Sequence, residues 1–222
     1  MGQWFAKYFR DKGFEVIISG RFPEKSARIA RELGVGYEGS MIESVHDADV
    51  ILVSTPIEAT AKTIQEVSCH IKKDAILFDI ASIKGNAIDA LEEAAEAGVK
   101  ALSIHPLFGP GASSVCGKRF LMIPIGKDLQ VVNEMSRIFE EDGGVVYLVE
   151  SGEAHDRMMA LTLALPHFLN IVFGKVLAGW DIEELKRFGG TTFTLQLLLA
   201  ESVLSEAPSL YYTIQSLTPA FK

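Results

Sequence analysis

The first 150 residues alternate apolar runs with amphipathic helical segments, and this alternation constrains the fold more than any other feature of the sequence. The runs are nearly continuous in apolar residues, unlike strands with one wet face. Continuous runs are typical of parallel strands that are covered on both faces. The sequence therefore predicts an α/β protein with a Rossmann-type, doubly wound parallel sheet, its strands near residues 14–19, 50–54 and 75–80 and in a run that ends at His105.

The pattern changes after residue 150. From Ser151 to Gln215 no further strand pattern is found, and long apolar helical segments are interrupted by glycines and Pro208. We therefore predict a dinucleotide-binding domain over residues 1–150 and an all-helical dimerisation and substrate domain over residues 151–222. A helical segment so rich in Leu, Phe and Ala cannot hide its apolar surface against one sheet, which predicts a homodimer through this domain.

The N-terminus departs from the usual nucleotide-binding pattern. A doubly wound sheet normally opens with a strand, then Gly-x-Gly-x-x-Gly, then a helix. This sequence opens on Met1-Gly2 and enters a helix directly. We therefore expect the first strand and two of the three glycines to be missing, so that the first domain is N-terminally incomplete.

Composition excludes several classes of partner. The chain has 21 Lys and Arg against 29 Asp and Glu, a net charge of −8 with the signs interspersed, which argues against nucleic acid. No apolar run of about 20 residues and no secretory segment is evident, so we expect a cytoplasmic protein without a membrane span. Cys69 and Cys116 form no Cys-x-x-Cys pair and the five histidines form no cluster, so free thiols and no metal are expected.

Polar residues follow three of the predicted strands. They are Ser54-Thr55-Pro56, the segment 79–85 with Ser82 and Lys84, and His105, which Pro106 favours in an extended conformation. Taken singly, Ser82 is equally a helix cap, Lys84 a solvated charge and His105 a hydrogen-bonded histidine beside a turn. Because parallel strands bring their carboxyl ends to one edge, the three together predict a site for a dinucleotide and a small polar substrate.

A longer set of motifs adds a family resemblance. The run His105-Pro106-Leu107-Phe108-Gly109-Pro110 is preceded by Asp79-x-x-Ser82-x-Lys84-Gly85 and followed by Glu153-Ala154-His155-Asp156 and Leu165-Pro166-His167. In this order the motifs resemble the prephenate/arogenate dehydrogenase family of tyrosine biosynthesis over nearly the whole chain. The resemblance implies oxidative decarboxylation of prephenate or arogenate with hydride transfer to NAD(P), which gives 4-hydroxyphenylpyruvate or tyrosine and CO2.

The resemblance also implies roles for individual residues. His105 matches the histidine that accepts the proton of the substrate hydroxyl, and Ser82 matches a serine that bonds the same hydroxyl or orients the imidazole. His167, Lys84 and His155 are implied to bind substrate, with a surface position at a helix start as the alternative for His155.

Two features depart from the family pattern. Many members carry a carboxylate-binding arginine near the helix that begins about Thr192, where this sequence has none. Arg187, Lys186 or a partner subunit would then supply the positive charge. The end at Lys222 is also short for the family's helical domain, so we expect that domain to be C-terminally incomplete.

Cofactor choice rests on the end of the second strand of the nucleotide-binding pattern. An acidic residue there binds the ribose 2′-hydroxyl of NAD, whereas an arginine accommodates the 2′-phosphate of NADP. Because Arg21 stands there, we predict NADP, with NAD, and a mere surface charge at Arg21, as alternatives. The predicted cofactor-binding residues are Gly2, Gln3, Ser19, Gly20, Arg21, Ser54, Thr55 and Pro56.

Two other functions remain open at this point. One is a different two-domain Rossmann dehydrogenase that acts on a hydroxy acid or an imino acid. The other is a catalytically impaired regulatory or dimerisation remnant, supported only by the missing glycines, without which the pyrophosphate lacks its tight turn.

Overall fold

The computed structural model describes residues 1–126, 129–205 and 208–218 and divides the chain into two compact units. The units are Met1–Gly152 and Glu153–Lys222, so the division falls two residues beyond the predicted boundary. The last four residues of the predicted helical domain lie outside the description.

The first unit alternates helices and strands, as the sequence predicted. Its helices are α1 (Gly2–Asp11), α2 (Pro23–Leu33), α3 (Met41–His46), α4 (Ile57–Ser68), α5 (Gly85–Glu96) and α6 (Leu129–Glu140). Its strands are β1 (Ile17–Ile18), β2 (Gly36–Tyr37), β3 (Val50–Val53), β4 (Ile76–Asp79), β5 (Lys100–Pro106), β6 (Arg119–Pro124) and β7 (Val145–Leu148).

The main sheet has the order β3-β4-β5-β6-β7. All its neighbouring strands are parallel except β5 and β6, which run antiparallel with Pro106 opposite Phe120. The predicted parallel sheet is therefore confirmed apart from this one pair. The antiparallel direction of β6 follows from the segment that joins it to β5. Residues 107–118 form a loop without the helix that usually connects two parallel strands.

Strands β1 and β2 form a separate two-stranded parallel sheet, and no described strand precedes α1. In the order 3-2-1-4-5-6 of a doubly wound sheet, the first strand separates the two that correspond here to β1 and β3. The division between the two described sheets therefore falls where the first strand of that order would lie.

Both faces of the main sheet are covered, as the continuous apolar runs predicted. On β4, Leu77 packs into one buried cluster with Leu91 of α5. The next residue, Phe78, belongs to a second cluster with Phe5 of α1 and Phe139 of α6. Successive residues of a strand point to opposite faces, so the two clusters lie on opposite sides of the sheet.

Helix α3 is absent from the sequence prediction. Its signal is a capping pair, in which the Ser40 side-chain oxygen accepts a hydrogen bond from the Glu43 backbone N–H at 3.3 Å. A Ser with Glu three residues later is typical of a helix start. Helical periodicity alone misses such a helix because only six residues are involved.

The rest of the described chain is helical, as predicted. It comprises α7 (Gly152–Met159), a π-helical turn (Ala160–Ala164), α8 (Leu165–Leu177), α9 (Ile182–Phe188), α10 (Thr191–Leu204) and α11 (Pro208–Leu217). The sequence predicted a kink at Pro166, and the interruption takes the form of the π-helical turn just before it. Proline has no N–H, and its ring crowds the carbonyl four residues earlier, which here belongs to Thr162.

The longest helix of the second unit is strongly apolar, and the expectation of a protein without a membrane span stays a prediction. The continuous helix from Gly152 to Leu177 has 26 residues and a mean hydropathy of 1.5 in its most apolar window, which suffices for a membrane span by length and composition. Only 17% of that window is buried. Polar residues such as His167 and Asn170 interrupt the apolar run in the sequence, although the average over the helix stays high. Most of this apolar helix is therefore exposed to solvent, and an exposed apolar patch of this kind marks an interaction surface.

Helix α1 is fastened to the end of α6 by a polar cluster. The Tyr8 hydroxyl lies 2.8 Å from the Ile138 carbonyl oxygen and 2.8 Å from Asp142 Oδ2. Lys12 Nζ donates to the same Asp142 oxygen at 2.9 Å. The hydrogen bonds from Lys12 and Tyr8 lower the pKa of the Asp142 carboxyl from its ordinary value of 3.8.

Replacing Asp142 by Asn is expected to remove a stabilising contribution that depends on pH. Because the pKa is lowered in the folded state, this contribution is present above 3.8 and disappears as the pH falls through the folded-state value. Urea midpoints of the wild type and Asp142→Asn should differ by a constant amount between about pH 7 and pH 5 and converge below about pH 4. Asp89→Asn, on the exposed face of α5, is the control. The prediction would be contradicted if the urea midpoints of the wild type and Asp142→Asn differed by the same amount at every pH.

Candidate functional site

Three strands of the first unit end side by side. Val53, Asp79 and Ser103 are directly paired across β3, β4 and β5. The segments that follow them, residues 54–56, 80–85 and 104–106, therefore lie at one edge of the sheet. The structure thus brings together the three polar segments that the sequence placed at strand ends.

The N-terminus of α1 lies beside the end of β3. A Cβ added to Gly2 would stand 2.9 Å from Ser54 Oγ, so any side chain at this position would require the Ser54 hydroxyl to move. No side chain caps this helix start and its first turn, which includes the exposed Gln3, has no acidic residue. The backbone N–H groups of this turn therefore suit an anion.

Thr55 and Pro56 form the turn that leads from β3 into α4. Thr55 Oγ1 lies 3.2 Å from Thr60 Oγ1, and the Thr60 hydroxyl also donates to the Pro56 carbonyl at 3.1 Å. The Thr55 hydroxyl is thus used within the protein to hold the turn, while Ser54 is exposed.

The end of β1 gathers polar groups before α2 begins. Ser19 Oγ is buried and has no hydrogen-bond partner among the described residues, which is unusual for a buried hydroxyl. A Cβ added to Gly20 would lie 2.8 Å from Ser26 Oγ. Arg21 is exposed, with its guanidinium carbon 4.6 Å from the centre of the Phe22 ring. This turn therefore offers a hydroxyl and a cation to a ligand.

A buried ion pair lies under the ends of β4 and β5. The side chains of Asp79 and Lys84 have no exposed surface, and Lys84 Nζ donates to Asp79 Oδ2 at 3.0 Å. The same carboxylate oxygen accepts from the Ala81 N–H at 2.7 Å, and the other oxygen accepts from the Ser103 hydroxyl. Lys84 Nζ also donates to the Ile104 carbonyl at 2.8 Å.

This arrangement corrects the role given to Lys84. The sequence assigned Lys84 to substrate binding, or alternatively to a solvated surface charge. Its side chain is wholly buried and its ammonium group is directed to Asp79 and Ile104. Burying an unpaired charge is costly, so the lysine is held by the carboxylate. We therefore reassign Lys84 from substrate contact to support of the site.

His105 and Ser82 stand immediately next to this cluster. His105 is the penultimate residue of β5, where the sequence predicted the last, and is 4% exposed. It shares a face of the strand with Ser103, two residues earlier. Ser82 lies partly exposed in the turn before α5, which begins at Gly85 with Lys84 in the capping position. The alternative of Ser82 as a helix cap is therefore wrong.

The loop that follows His105 is fastened to α1. The Phe108 ring packs edge-on against Trp4 with centres 4.9 Å apart. Trp4 Nε1 donates to the Ala112 carbonyl at 2.7 Å, and Val115 is buried. These contacts fix the position of the glycine-rich loop that follows His105.

In the second unit, the predicted residues lie on several helices. His155 is wholly buried on α7 with Nδ1 2.8 Å from Asp156 Oδ1, so the surface alternative is wrong. The His167 ring on α8 packs edge-on against Tyr211 at 4.9 Å between centres. On α9, Lys186 bonds Glu183 at 2.8 Å, which raises the pKa of Lys186, and Arg187 is exposed.

Two residues of the buried cluster were not chosen from the sequence. Asp79 was quoted only as part of a motif and Ser103 only as part of a strand. The available signal was a polar residue inside an otherwise apolar run, Ile-Leu-Phe-Asp for Asp79 and Ala-Leu-Ser-Ile for Ser103. Within the described ranges no three His, Cys, Asp or Glu side chains are grouped to hold a metal ion.

Comparisons with known proteins identify the family of the chain. Residues 5–148 match the family described as "Prephenate dehydrogenase, nucleotide-binding domain". A probable arogenate/prephenate dehydrogenase of Methanocaldococcus jannaschii is 33% identical over 226 residues, which cover 100% of this chain and 50% of that protein. The T-protein of Enterobacter agglomerans is 25% identical over 92% of this chain and 59% of its own length. The chain thus spans about half the length of the curated relatives it matches.

Solved structures support the fold. Prephenate dehydrogenase from A. aeolicus, crystallised with hydroxyphenyl propionate and NAD+, superposes with a TM-score of 0.79 at 23% identity and covers 100% of this chain and 80% of its own. Synechocystis arogenate dehydrogenase gives a TM-score of 0.75 at 17% identity and covers 99% of this chain and 81% of its own. By the matches of its sequence and its first unit, the chain belongs to the prephenate dehydrogenase family.

Proposed function

We propose that this protein catalyses the oxidative decarboxylation of prephenate or arogenate, in which a bound nicotinamide cofactor accepts the hydride. The observation that carries the proposal is the edge of the main sheet, where Ser82 follows β4 and His105 lies near the end of β5, next to the end of β3 and Gly2. The names of the relatives support the same reaction, with 4-hydroxyphenylpyruvate or tyrosine and CO2 as products.

In this proposal the chain's own residues position the substrate and take one proton. The His105 imidazole accepts the proton of the substrate hydroxyl as a general base. Ser82 bonds that hydroxyl or orients the imidazole. Loss of CO2 makes the ring aromatic and supplies the driving force, so positioning is the main task of the protein.

The second unit is proposed to contribute a substrate contact through His167, whereas His155, wholly buried beside Asp156, is assigned to support for the same reason as Lys84. The substrate carboxylate requires a cation, and α9 carries Lys186 and Arg187. Because Lys186 already bonds Glu183, we favour Arg187 for this role.

The residues present fit a dinucleotide. The close approach of Gly2 to Ser54 and the uncapped first turn of α1 suit a pyrophosphate, with Gln3, Ser54, Thr55 and Pro56 proposed to lie around it. The partnerless Ser19 hydroxyl, Gly20 and the exposed Arg21 suit the ribose end. An arginine there favours a 2′-phosphate, so we propose NADP as the preferred cofactor and NAD as the alternative.

We also propose that a second copy of the chain covers the helical unit in a soluble, cytoplasmic homodimer. Of the 24 exposed large apolar side chains among the described residues, 15 lie beyond Gly152. They include Val176 on α8 and Leu198 on α10, both more than half exposed. Patches of this kind mark protein interfaces, and a second copy carries the same complementary helices.

The reaction is tested with protein expressed from its native reading frame. It should reduce NADP or NAD when given prephenate or arogenate, and no reduction with either substrate at about pH 8 would reject the proposal. His105→Asn should lower kcat about 10²- to 10⁴-fold, and kcat/KM of the wild type should rise with pH as the imidazole loses its proton. His70→Asn, at the exposed end of α4, is the control; a loss below about threefold in His105→Asn would remove the base assignment.

Cofactor preference is tested at Arg21. Arg21→Ala should weaken NADP binding roughly 10- to 100-fold, as expected for a lost charge-assisted hydrogen bond, and leave NAD binding nearly unchanged. Calorimetric titration of each cofactor measures both affinities. Arg28→Ala, which removes an exposed charge on α2, should change neither; tighter binding of NAD than NADP by the wild type would contradict the proposal.

Assembly is tested by light scattering on a sizing column without detergent. The wild type should have twice the mass of one chain at micromolar concentration, and Val176→Glu with Leu198→Glu should give monomers. Leu129→Glu introduces the same charge at an exposed apolar position of the first unit and should leave the dimer intact. A monomeric wild type, or one that needs detergent to stay in solution, would exclude cover by a second copy.

A further inference from the structure

We propose that Asp79 is a positioning residue that fixes the location of the His105 imidazole through Ser103 and Lys84. The inference rests on the proposed function for the role of His105, and it concerns a residue that touches neither substrate nor cofactor. The structure shows one buried carboxylate, that of Asp79, whose hydrogen-bond partners lie next to His105 and Ser82 in the chain.

The first part of the argument is the geometry around the carboxylate. Asp79 lies opposite Ser103 in the parallel pairing of β4 with β5, and both residues are wholly buried. One oxygen accepts from the Ser103 hydroxyl, and the other accepts from the Ala81 N–H and Lys84 Nζ. The three donors belong to β5, to the turn after β4 and to the start of α5, so one side chain joins three segments.

The second part is the path to His105. Lys84 Nζ donates to the Ile104 carbonyl, which is the oxygen of the peptide bond that leads into His105. Ser103 lies two residues before His105, so its side chain projects from the same face of β5. The carboxylate thus holds β5 directly at Ser103 and, through Lys84, at the Ile104 carbonyl, the two residues that precede His105. Through Ala81 it also holds the residue before Ser82.

The third part is that stability alone gives a weak reason for this cluster. Replacing a buried ion pair with apolar residues of similar volume is often neutral or stabilising. Apolar packing, however, does not fix the direction of a peptide carbonyl, whereas hydrogen bonds weaken steeply when their angles change. A directional role for Asp79 explains a charged pair at this position.

The test uses Ser103→Ala, which removes one donor to Asp79 and leaves the ion pair in place, so that the protein folds. Asp79→Asn is the second variant, and Val67→Ala, near the C-terminal end of α4, is a control that leaves a cavity in the apolar cluster around Leu77. We expect Ser103→Ala to lower kcat about tenfold with KM nearly unchanged, because displacement of a reacting group acts mainly on the chemical step. Val67→Ala should lower the melting temperature at least as much and keep kcat within about twofold.

A second readout does not depend on activity. The imidazole resonances of His105, assigned by their loss in His105→Asn, are recorded by NMR in ¹⁵N-histidine-labelled protein without ligands. They should shift in Ser103→Ala and Asp79→Asn and stay in place in Val67→Ala. Unchanged resonances and kcat in Ser103→Ala, or an equal loss of kcat in Val67→Ala, would overturn the proposal. A wild type inactive on both substrates whose His105 resonances still shift in Ser103→Ala would reject the proposed function and support the positioning role.

Discussion

The arrangement of the site depends on one charge that has no access to water. A carboxylate inside an apolar sheet is unstable unless donors surround it, and Asp79 obtains three of them from three different segments. Satisfying the charge therefore determines where β5, the turn after β4 and the start of α5 meet. The polar edge of the sheet is built on this requirement, and the apolar clusters on either face supply the free energy that holds the strands around it.

Much of the fold could be predicted because strands that are buried on both faces appear in the sequence as nearly continuous apolar runs. The continuous apolar runs of β3, β4 and β5 predicted parallel strands, and Gly34 marked the end of α2, where it adopts a left-handed conformation with φ of 65°. The antiparallel entry of β6 could not be predicted, because direction depends on the path of the loop from residue 107 to residue 118. Helix α3 is too short to be predicted from its hydrophobic periodicity, and the only signal for it in the sequence is the capping pair of Ser40 and Glu43.

Some residues of the candidate site could likewise be placed from the sequence, and others could not. Residues at strand ends, such as His105, could be placed because the carboxyl edge of a parallel sheet follows from topology. Lys84 could not be assigned correctly, because its spacing from Asp79 does not reveal that its charge is used inside the protein. Long apolar helices after residue 150 could be predicted, but the high average hydropathy of the helix from Gly152 to Leu177 was not recognised, because polar residues such as His167 interrupt the apolar run.

The π-helical turn at Ala160–Ala164 has a consequence for the register of the helical unit. Closing a turn with one more residue than an α-helix requires acts as a local insertion of a single residue. Each residue of an α-helix advances by about 100°, so without this insertion every side chain from Leu165 onward would be rotated by that angle about the axis. The direction in which His167 and Asn170 project therefore depends on the five residues Ala160–Ala164, which lie upstream of both. These residues are alanines, leucines and one threonine, so a segment with a single side-chain hydroxyl sets the orientation of two polar side chains.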